Sequence, residues 1–476
     1  MMDSYKLLLN GEWRDSEKKL VVTNPSDGQA FAQVATVDRN GVNRAIADAA
    51  VAFESWKATS ALARGDYLRA IAAEMKSRAE QFATLITMEN GKPLAQARGE
   101  VAMSIDHLLW FAEEGRRAYG RVVPPQAEGK RNLVIRQPVG VVGAIAPWNF
   151  PLVLAIRKIA PALAAGCTVI LKPASATPLS ACELARCIDA VGLPKSVFQL
   201  VVGSASEIGR ELLENPFCRK ISFTGSTEVG RSLIQGAAQT CTELSLELGG
   251  NAPVIVFDDA DLDQAVEGIL ITKFRNNGQS CIAANRIYIQ EGIYDRLVAT
   301  LSDRIKGLKV GDGLGDGVDV GPLIDERALS TATSFIDEAV EAGAQVLAGG
   351  SRFGEEGNFL APTLLTEVPE HVRCHQQEIF APIAALYRFQ NEEQVLKTAN
   401  DTEFGLAAYA FTTDLNRAFR VAETLEAGTV GINDPVPPTS NCPFGGFKQS
   451  GWGRELGSEG IDAYLETKHI SIAGIT

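Results

Sequence analysis

Apolar and polar residues alternate along the chain in two different ways, and the first is helical. Near the start, apolar side chains such as Val42, Ile46 and Ala49 recur at the spacing of one helix face. This pattern predicts three long helices, at Arg39–Thr59, Ala61–Glu89 and Ala95–Tyr119. We therefore expect the chain to open with a helical region.

From Val139 onward, short runs of β-branched residues alternate with helix-like segments, which is typical of a parallel sheet. The predicted strands are Val139–Ala146, Thr168–Lys172, Val197–Val202 and Lys220–Phe223. The predicted helices are Leu152–Ala165, Leu179–Val191 and Glu207–Glu214. Beyond Gly249 a second alternation begins with a strand at Val254–Phe257 and a helix at Leu262–Phe274. The pattern thus predicts two α/β domains.

Three segments fall outside this alternation. Gly120–Arg131 is polar and rich in proline and glycine, which indicates an excursion from the main body. The end of the chain, Gly457–Thr476, finishes in a strand-like run at Ile470–Ala473, which could pair with the excursion or with another subunit. The glycine-rich stretch Gly311–Gly317 is interpreted as a surface loop.

Length, composition and charge narrow the class of protein. A chain of 476 residues exceeds what one hydrophobic core usually supports, and its 46% hydrophobic and 22% charged residues are ordinary for a globular protein. The net charge is −13, without a clustered basic patch. A nucleic-acid or anionic-membrane partner is therefore not expected.

The chain carries no predicted membrane span, export signal or metal site. Its least charged window, Gln137–Ile156, contains three prolines and two glycines, which favour a buried strand and turn. The eight cysteines show no Cys-x-x-Cys spacing, so we interpret them as thiols in a reducing cytoplasm. Residues 1–10 lack the pattern of a secretory segment.

A dinucleotide-binding motif is not evident in its usual form. The Gly-x-Gly-x-x-Gly fingerprint is absent, and the nearest equivalent is Phe223–Gly230, which follows a predicted strand and opens a probable helix. Such a turn by itself is more often an ordinary connection than a cofactor loop. Other motifs are needed to decide whether this turn binds a cofactor.

Six further segments supply them: Pro147–Pro151, Leu171–Ser175, Leu246–Asn251, Gly278–Cys281, Glu378–Pro382 and Pro443–Gly446. In order and spacing they resemble the aldehyde dehydrogenase superfamily, over essentially the whole chain. The resemblance implies an α/β fold with a Rossmann-type cofactor domain, an α/β catalytic domain and a small β oligomerisation flap. The cofactor domain would comprise residues 1–120 and 139–249, and the catalytic domain residues 250–440. The oligomerisation flap would comprise residues 121–138 and 457–476. The resemblance also implies a homodimer or homotetramer.

The resemblance assigns the catalytic cysteine to Cys281. An aldehyde cannot donate hydride until a nucleophile has converted its carbon to a tetrahedral adduct, and a thiolate supplies that adduct. A random cysteine is more often a buried, inert thiol. The position of Cys281 directly after Gly278-Gln279-Ser280 favours the catalytic interpretation.

Two more catalytic residues follow from the resemblance. Asn149, between two prolines, matches the residue whose amide stabilises the oxyanion together with the Cys281 backbone N–H. Glu247 matches the general base that activates water against the thioester, and the leucines beside it favour a raised proton affinity. Members of the family that transfer the acyl group to coenzyme A lack this glutamate. Hydrolysis to a free acid is therefore implied.

The implied cofactor is NAD or NADP. Its predicted binding residues are Trp148, Lys172, Ser175, Gly225, Ser226, Glu378 and Phe380. Lys172 resembles the lysine that binds the adenosine ribose, and Glu378 the carboxylate that holds the nicotinamide ribose. Many NAD-preferring members carry a glutamate where this chain has Ser175, and that carboxylate would repel a 2′-phosphate. A serine at position 175 does not repel the 2′-phosphate, so NADP is tolerated, and it also leaves room for NAD.

Within the family, the segments around Arg157, Arg275 and Phe447 are most similar to the succinate-semialdehyde dehydrogenase group. In that group the two matching arginines hold the substrate carboxylate, which suits the fork of a guanidinium. Thr439 is a third predicted substrate contact. Ala283 stands where the group commonly has a second cysteine, so no thiol switch is expected.

The substrate within this group stays open. The loop Asp434–Asn441 is rich in proline and unlike the usual version. Succinate semialdehyde is the first expectation, with glutarate semialdehyde and sulfolactaldehyde as alternatives. A nucleotide-binding or structural role without catalysis would not require both Cys281 and Glu247.

Overall fold

The computed structural model describes residues 2–474. Strands β1 to β12 are Asp3–Tyr5, Leu7–Leu9, Glu12–Arg14, Lys19–Thr23, Ala30–Ala35, Arg121–Val123, Lys130–Pro138, Val141–Ile145, Thr168–Lys172, Phe198–Leu200, Cys218–Thr224 and Glu243–Glu247. Strands β13 to β23 are Ala252–Val256, Ala284–Gln290, Gln345–Ala348, Thr363–Thr366, Ile383–Phe389, Phe404–Gly405, Ala407–Phe411, Thr429–Ile432, Phe447–Lys448, Gly451–Trp452 and Leu465–Ala473.

Helices separate most of these strands. Helices α1 to α8 are Arg39–Trp56, Ala61–Ser77, Ala79–Asn90, Leu94–Glu114, Val153–Ala165, Leu179–Ala190, Ala205–Glu214 and Thr227–Ala237. Helices α9 to α15 are Leu262–Phe274, Glu291–Lys306, Glu326–Glu341, Arg373–Gln376, Glu392–Asn400, Leu415–Thr424 and Glu459–Asp462. None of the helices among residues 2–474 is both long and apolar enough to cross a membrane.

The first large sheet is a doubly wound, Rossmann-type sheet. Its parallel strands lie in the order β10-β9-β8-β11-β12, and β22 joins its edge antiparallel to β12. The chain moves outward from β8 to β10 and then returns to β11 beside β8, so the strand order reverses there. In such sheets ligands bind in the crevice outside the carboxyl ends of the strands at that reversal.

The second large sheet has the order β15-β16-β17-β14-β13-β19-β20. All neighbouring pairs are parallel except β15 with β16. Four of the strands predicted from β-branched runs, β8, β9, β11 and β13, lie inside the two sheets, and the fifth, β10, lies at the edge of the first. Strands covered on both faces are largely apolar, which is why these runs were recognisable. The predicted pair of α/β sheets is confirmed.

The excursion and the chain end form a separate antiparallel sheet, β23-β7-β6. Strand β23 pairs with β7 from Leu465 opposite Pro138 to Ala473 opposite Lys130. Of the two pairings left open by the sequence, the structure shows the one with the excursion. The last two residues of the predicted oligomerisation segment 457–476 lie outside the described residues.

Two expectations about the opening were wrong. Strands β1–β5 precede the first helix, and they are too short to show an alternating pattern. The second predicted helix, Ala61–Glu89, is two helices, because Arg78 leaves the helical conformation with φ −112° and ψ 18°. Its guanidinium pairs with Glu74 on α2 and, at 2.9 Å, with Glu183 on α6. This long-range contact competes with helix continuation.

Candidate active site

The carboxyl ends of the first sheet gather most of the predicted site residues. Strand β8 leads into the turn carrying Trp148 and Asn149, and β9 ends at Lys172. Strand β11 leads into Gly225, and β12 ends at Glu247. Residues from four separate sequence motifs therefore share one edge of the sheet.

A cavity of about 230 Å³ joins this edge to the cysteine loop. The predicted site residues that line it are Trp148, Asn149, Gly225, Ser226, Cys281, Glu378 and Phe380. Ser175 lines a separate, larger cavity of about 990 Å³ beside the start of α7. Two of the predicted catalytic residues, Asn149 and Cys281, thus meet the predicted nicotinamide-side residues in one cavity, whereas Glu247 is not among the described residues that line it.

The segment before Cys281 has an unusual backbone. Asn276, Asn277 and Gly278 are consecutive residues with φ of 55°, 58° and 74°, a left-handed run that side chains rarely adopt. The Asn277 side chain donates to the Pro322 carbonyl at 2.8 Å and accepts from the Gly321 N–H at 2.7 Å. A Cβ on Gly278 would lie 2.3 Å from the Ala381 backbone, so glycine is required. The loop is held in one conformation.

Cys281 is partly buried, and its surroundings disfavour the thiolate. Burial raises the pKa of the Cys281 thiol to about 12, and the nearby carboxylates of Glu378 and Glu247 add to the effect. The Arg157 guanidinium opposes them. Cys281 is therefore a thiol at neutral pH in the ligand-free protein and has to lose a proton before it can act as a nucleophile.

Asn149 is buried, and its side chain faces the cysteine loop. Its Nδ2 donates to the Gln279 carbonyl at 3.1 Å. An amide nitrogen carries two hydrogens, so one N–H donor remains for a second acceptor. The Asn149 carbonyl accepts from Asn276 Nδ2 at 2.9 Å, which links the two loops.

Glu247 is buried beside a second carboxylate. Burial raises the pKa of Glu247 well above its usual value, and the negative charge of Glu455 adds to the effect. Lys158 and Arg157 oppose the shift. The Glu247 Oε2 atom has no hydrogen-bond partner among the described residues, so it is available to bind water.

The sequence analysis did not identify Lys158 and Glu455. Lys158 Nζ lies 2.6 Å from Glu455 Oε1 and donates to Thr224 Oγ1 at 2.6 Å, with all three side chains buried. The one signal available in the sequence was a lysine beside Arg157 inside the otherwise apolar segment Leu152–Ala165. Charges in such a place need a buried partner, but the partner, far along the chain, could not be named.

Glu378 lines the cavity. Its Oε1 accepts from the Gly250 N–H at 3.1 Å, and burial raises its pKa to about 7. A Cβ on Gly249 would lie 2.9 Å from Glu378 Oε2, so glycine keeps this space open. Lys172 is also buried, and desolvation lowers its pKa to about 8.

Aromatic and turn residues complete the cavity. The Trp148 and Phe380 rings pack edge to face with centroids 5.4 Å apart, and Phe380 adopts a left-handed φ of 52°. Ser226 caps α8, since its Oγ accepts from the Val229 N–H at 3.3 Å. The strand-to-helix turn at Gly225 and Ser226 therefore points the start of a helix into the crevice.

Of the two predicted substrate arginines, Arg157 is buried and Arg275 is partly buried. Arg157 stacks 4.7 Å above the Phe444 ring, and its Nη1 lies 4.0 Å from Glu455 Oε2. Arg275 lies 5.7 Å from the centre of the Phe150 ring. Burial lowers the pKa of Arg275, and repulsion from Arg157 lowers it further. The interaction with Cys281 opposes this lowering. Two guanidinium groups thus share the neighbourhood of the cysteine.

The third predicted substrate residue, Thr439, is exposed on the loop between β20 and β21. Like Arg157 and Arg275, it is not among the described residues that line the two cavities. All eight cysteines lie within residues 2–474, and none of them forms a disulfide there.

Comparison with known proteins identifies the family. The aldehyde dehydrogenase family profile matches residues 13–470. The succinate-semialdehyde dehydrogenase [NADP(+)] GabD of Escherichia coli K12 is 49% identical over 98% of this chain and 97% of its own length. The glutarate-semialdehyde dehydrogenase of Pseudomonas putida KT2440 is 48% identical, with the same coverage.

Two further matches extend this picture. The 3-sulfolactaldehyde dehydrogenase of Pseudomonas putida is 46% identical over 98% of this chain and 96% of its own length. A crystal structure described as an E. coli NADP-dependent enzyme superposes with a TM-score of 0.97 at 48% identity, covering 99% of this chain and 98% of the other. With matches over its whole length in both sequence and fold, the chain belongs to the aldehyde dehydrogenase family.

Proposed function

We propose that this protein oxidises a short anionic aldehyde, with succinate semialdehyde as the first candidate, to the carboxylic acid through a thioester on Cys281. The observation that carries the proposal is that two guanidinium groups, that of the buried Arg157 and that of the partly buried Arg275, lie near Cys281. Buried cations need an anionic partner, and a substrate carboxylate would provide one. Relatives named for succinate, glutarate and sulfolactaldehyde substrates all act on aldehydes of this charge.

The crevice fits NAD or NADP. The glycine turn at the start of α8, the strand reversal and the space opposite Gly249 form a cradle at the place where such sheets bind dinucleotides. Lys172 and Ser175 would hold the adenosine side, and Glu378 the nicotinamide ribose, with Trp148 and Phe380 beside the ring. When bound, the cofactor accepts a hydride from the substrate carbon.

Acylation begins when Cys281 loses its proton and its sulfur attacks the aldehyde carbon. The oxyanion of the thiohemiacetal is stabilised by the free N–H of Asn149 Nδ2 and by the Cys281 backbone N–H. Departure of hydride from that carbon re-forms the carbonyl and leaves a thioester. The carbon is thereby oxidised by two electrons.

Deacylation depends on Glu247. Its unpartnered Oε2 takes a proton from water, and the resulting hydroxide adds to the thioester carbonyl. The C–S bond then breaks, the Cys281 thiolate is released and the free acid leaves. A raised pKa makes the carboxylate a stronger base than an exposed glutamate would be.

We also propose the arrangement of domains. The cofactor domain would comprise residues 1–120 and 139–249, the catalytic domain residues 250–440, and residues 121–138 with 457–476 would join subunits of a homodimer or homotetramer. The positions of the two large sheets and of the β23-β7-β6 sheet support these bounds. The free cysteines support a cytoplasmic location.

The test of the substrate class is Arg275→Ala, assayed with succinate semialdehyde and with butanal as the neutral control. Charge-assisted hydrogen bonds contribute roughly 1.5–3 kcal/mol, so kcat/KM for the semialdehyde should fall by about ten- to a hundredfold. The value of kcat/KM for butanal should fall far less. Equal losses would mean that Arg275 supports the cysteine loop, and a wild-type preference for butanal would reject an anionic substrate.

Cofactor preference is tested by Ser175→Glu. A carboxylate near the adenosine ribose repels the 2′-phosphate of NADP, whereas NAD carries no charge there. The ratio of kcat/KM for NADP to that for NAD should therefore fall. Glu207 lines the same cavity as Ser175, so Glu207→Gln is the control for a change of charge at another position of that cavity. An unchanged ratio in Ser175→Glu would place Ser175 away from the ribose.

A further inference from the structure

A buried ion pair lies behind the turn that carries Asn149. Lys92 Nζ is 2.6 Å from Glu100 Oε2, and the two side chains are 1% and 0% exposed. Lys92 follows α3, and Glu100 lies on α4. Neither residue belongs to the cavity or to the motifs that predicted the site.

Both charges reach across to the turn. Lys92 Nζ donates to the Asn149 carbonyl at 2.8 Å and lies 3.9 Å from the centre of the Phe150 ring. Glu100 Oε1 accepts from the Leu152 N–H at 2.9 Å and from the Val153 N–H at 3.2 Å. The ion pair therefore contacts the backbone on both sides of Pro151.

These contacts explain how two charges can be buried. An isolated buried ion is costly unless its hydrogen-bonding groups are satisfied. Here the ammonium is shared between a carboxylate, a carbonyl and an aromatic face, and the carboxylate receives the free N–H groups at the start of α5. The pair is stable only while residues 149–153 keep their present conformation.

The Asn149 backbone is consequently held from two directions. Its carbonyl accepts from Lys92 on one side and from Asn276 Nδ2, at 2.9 Å, on the other. Fixing this peptide plane restricts where the Asn149 side chain starts, and the hydrogen bond from its Nδ2 to the Gln279 carbonyl then sets the direction of the amide. An oxyanion donor works only when it already points at the developing charge.

We propose that the Lys92–Glu100 ion pair is the positioning element for the Asn149 amide, and that it sets how well the oxyanion at Cys281 is stabilised. This inference rests on the proposed function, because it assigns the ion pair to the same site. Lys92 does not touch the reacting atoms. It acts through Asn149.

A double-mutant cycle tests this role with Lys92→Met, Asn149→Ala and the double variant. Methionine keeps the length of the side chain but removes the charge. Lys92→Met should lower the rate of the hydride-transfer burst by about tenfold or more, as small displacements of a catalytic group do. In the Asn149→Ala background the same change should have little further effect, since the group that it positions is gone.

A second readout makes the test independent of the aldehyde. Hydrolysis of p-nitrophenyl acetate by Cys281 also forms an oxyanion but needs neither cofactor nor semialdehyde, and the same cycle should be non-additive there. The matched control is Lys220→Met, because Lys220 is equally buried, lies 3.9 Å from Glu243 and lies 5.5 Å from the Tyr464 ring. Lys220 lies near the start of β11, whereas the site residue Gly225 follows the end of that strand. Lys220→Met should therefore leave both rates unchanged.

The outcomes separate the two proposals. Additive losses in the ester cycle, or a Lys92→Met protein as active as wild type, would overturn the positioning role. The same holds if Lys220→Met lowers the ester rate equally, because the loss would then be one of general stability. Non-additive losses on the ester, combined with failure of the wild type to oxidise any anionic aldehyde, would retain the positioning role and reject the proposed substrate class.

Discussion

Cys281→Ala is expected to abolish aldehyde oxidation while cofactor binding stays nearly intact. Without the sulfur no thiohemiacetal forms, and an aldehyde carbon that has not been attacked cannot release its hydrogen as hydride. Lys172 and Glu378, which would hold the cofactor, have no hydrogen bond to the thiol in the described part of the chain. Steady-state formation of NADPH and a fluorescence titration with NADP measure the two properties separately.

The control for this variant is Cys241→Ala. Cys241 is exposed, and the structure places it on the turn before β12. Its replacement should leave the rate of oxidation unchanged. More than a trace of turnover by Cys281→Ala would remove Cys281 from the role of nucleophile.

Glu247→Gln is expected to separate the two halves of the reaction. Glutamine keeps the size of the side chain but cannot accept a proton from water, so acylation proceeds once and deacylation slows by orders of magnitude. A stopped-flow trace should show a burst of about one reduced cofactor per active site, followed by a slow steady rate. Unchanged steady turnover would exclude Glu247 as the base.

The pH dependence provides an independent check. Because burial and Glu455 raise the pKa of Glu247, its carboxylate form is lost while the pH is still well above the usual range for a glutamate. Wild-type deacylation should therefore decline as the pH falls through this raised pKa, and the residual rate of Glu247→Gln should not follow that decline. Glu243→Gln, on the same strand but exposed at its start, should keep the wild-type profile.

Local patterns in the sequence were sufficient for the centre of the fold and for the family. The strand Thr168–Lys172 and the helix Leu262–Phe274 have the predicted bounds. The strand is buried and has a continuous apolar centre, whereas apolar residues recur at helical spacing along the helix, so both leave a clear signal. The motif residues that line the cavity were identified from short segments, and those at Trp148 and Gly225 lie on turns that follow parallel strands. Parallel strands bring such turns to one edge.

The tertiary structure alone decided which distant groups meet. Short opening strands such as β1, the break at Arg78 and the pairing of β23 with β7 depend on partners far along the chain, to which local periodicity is blind. The same is true of the charges around the site. Two buried ion pairs, Lys158 with Glu455 and Lys92 with Glu100, are stable in the interior only because the fold places each charge beside its partner. The pKa values of Glu247 and Cys281 are raised by burial, and that burial exists only in the folded protein.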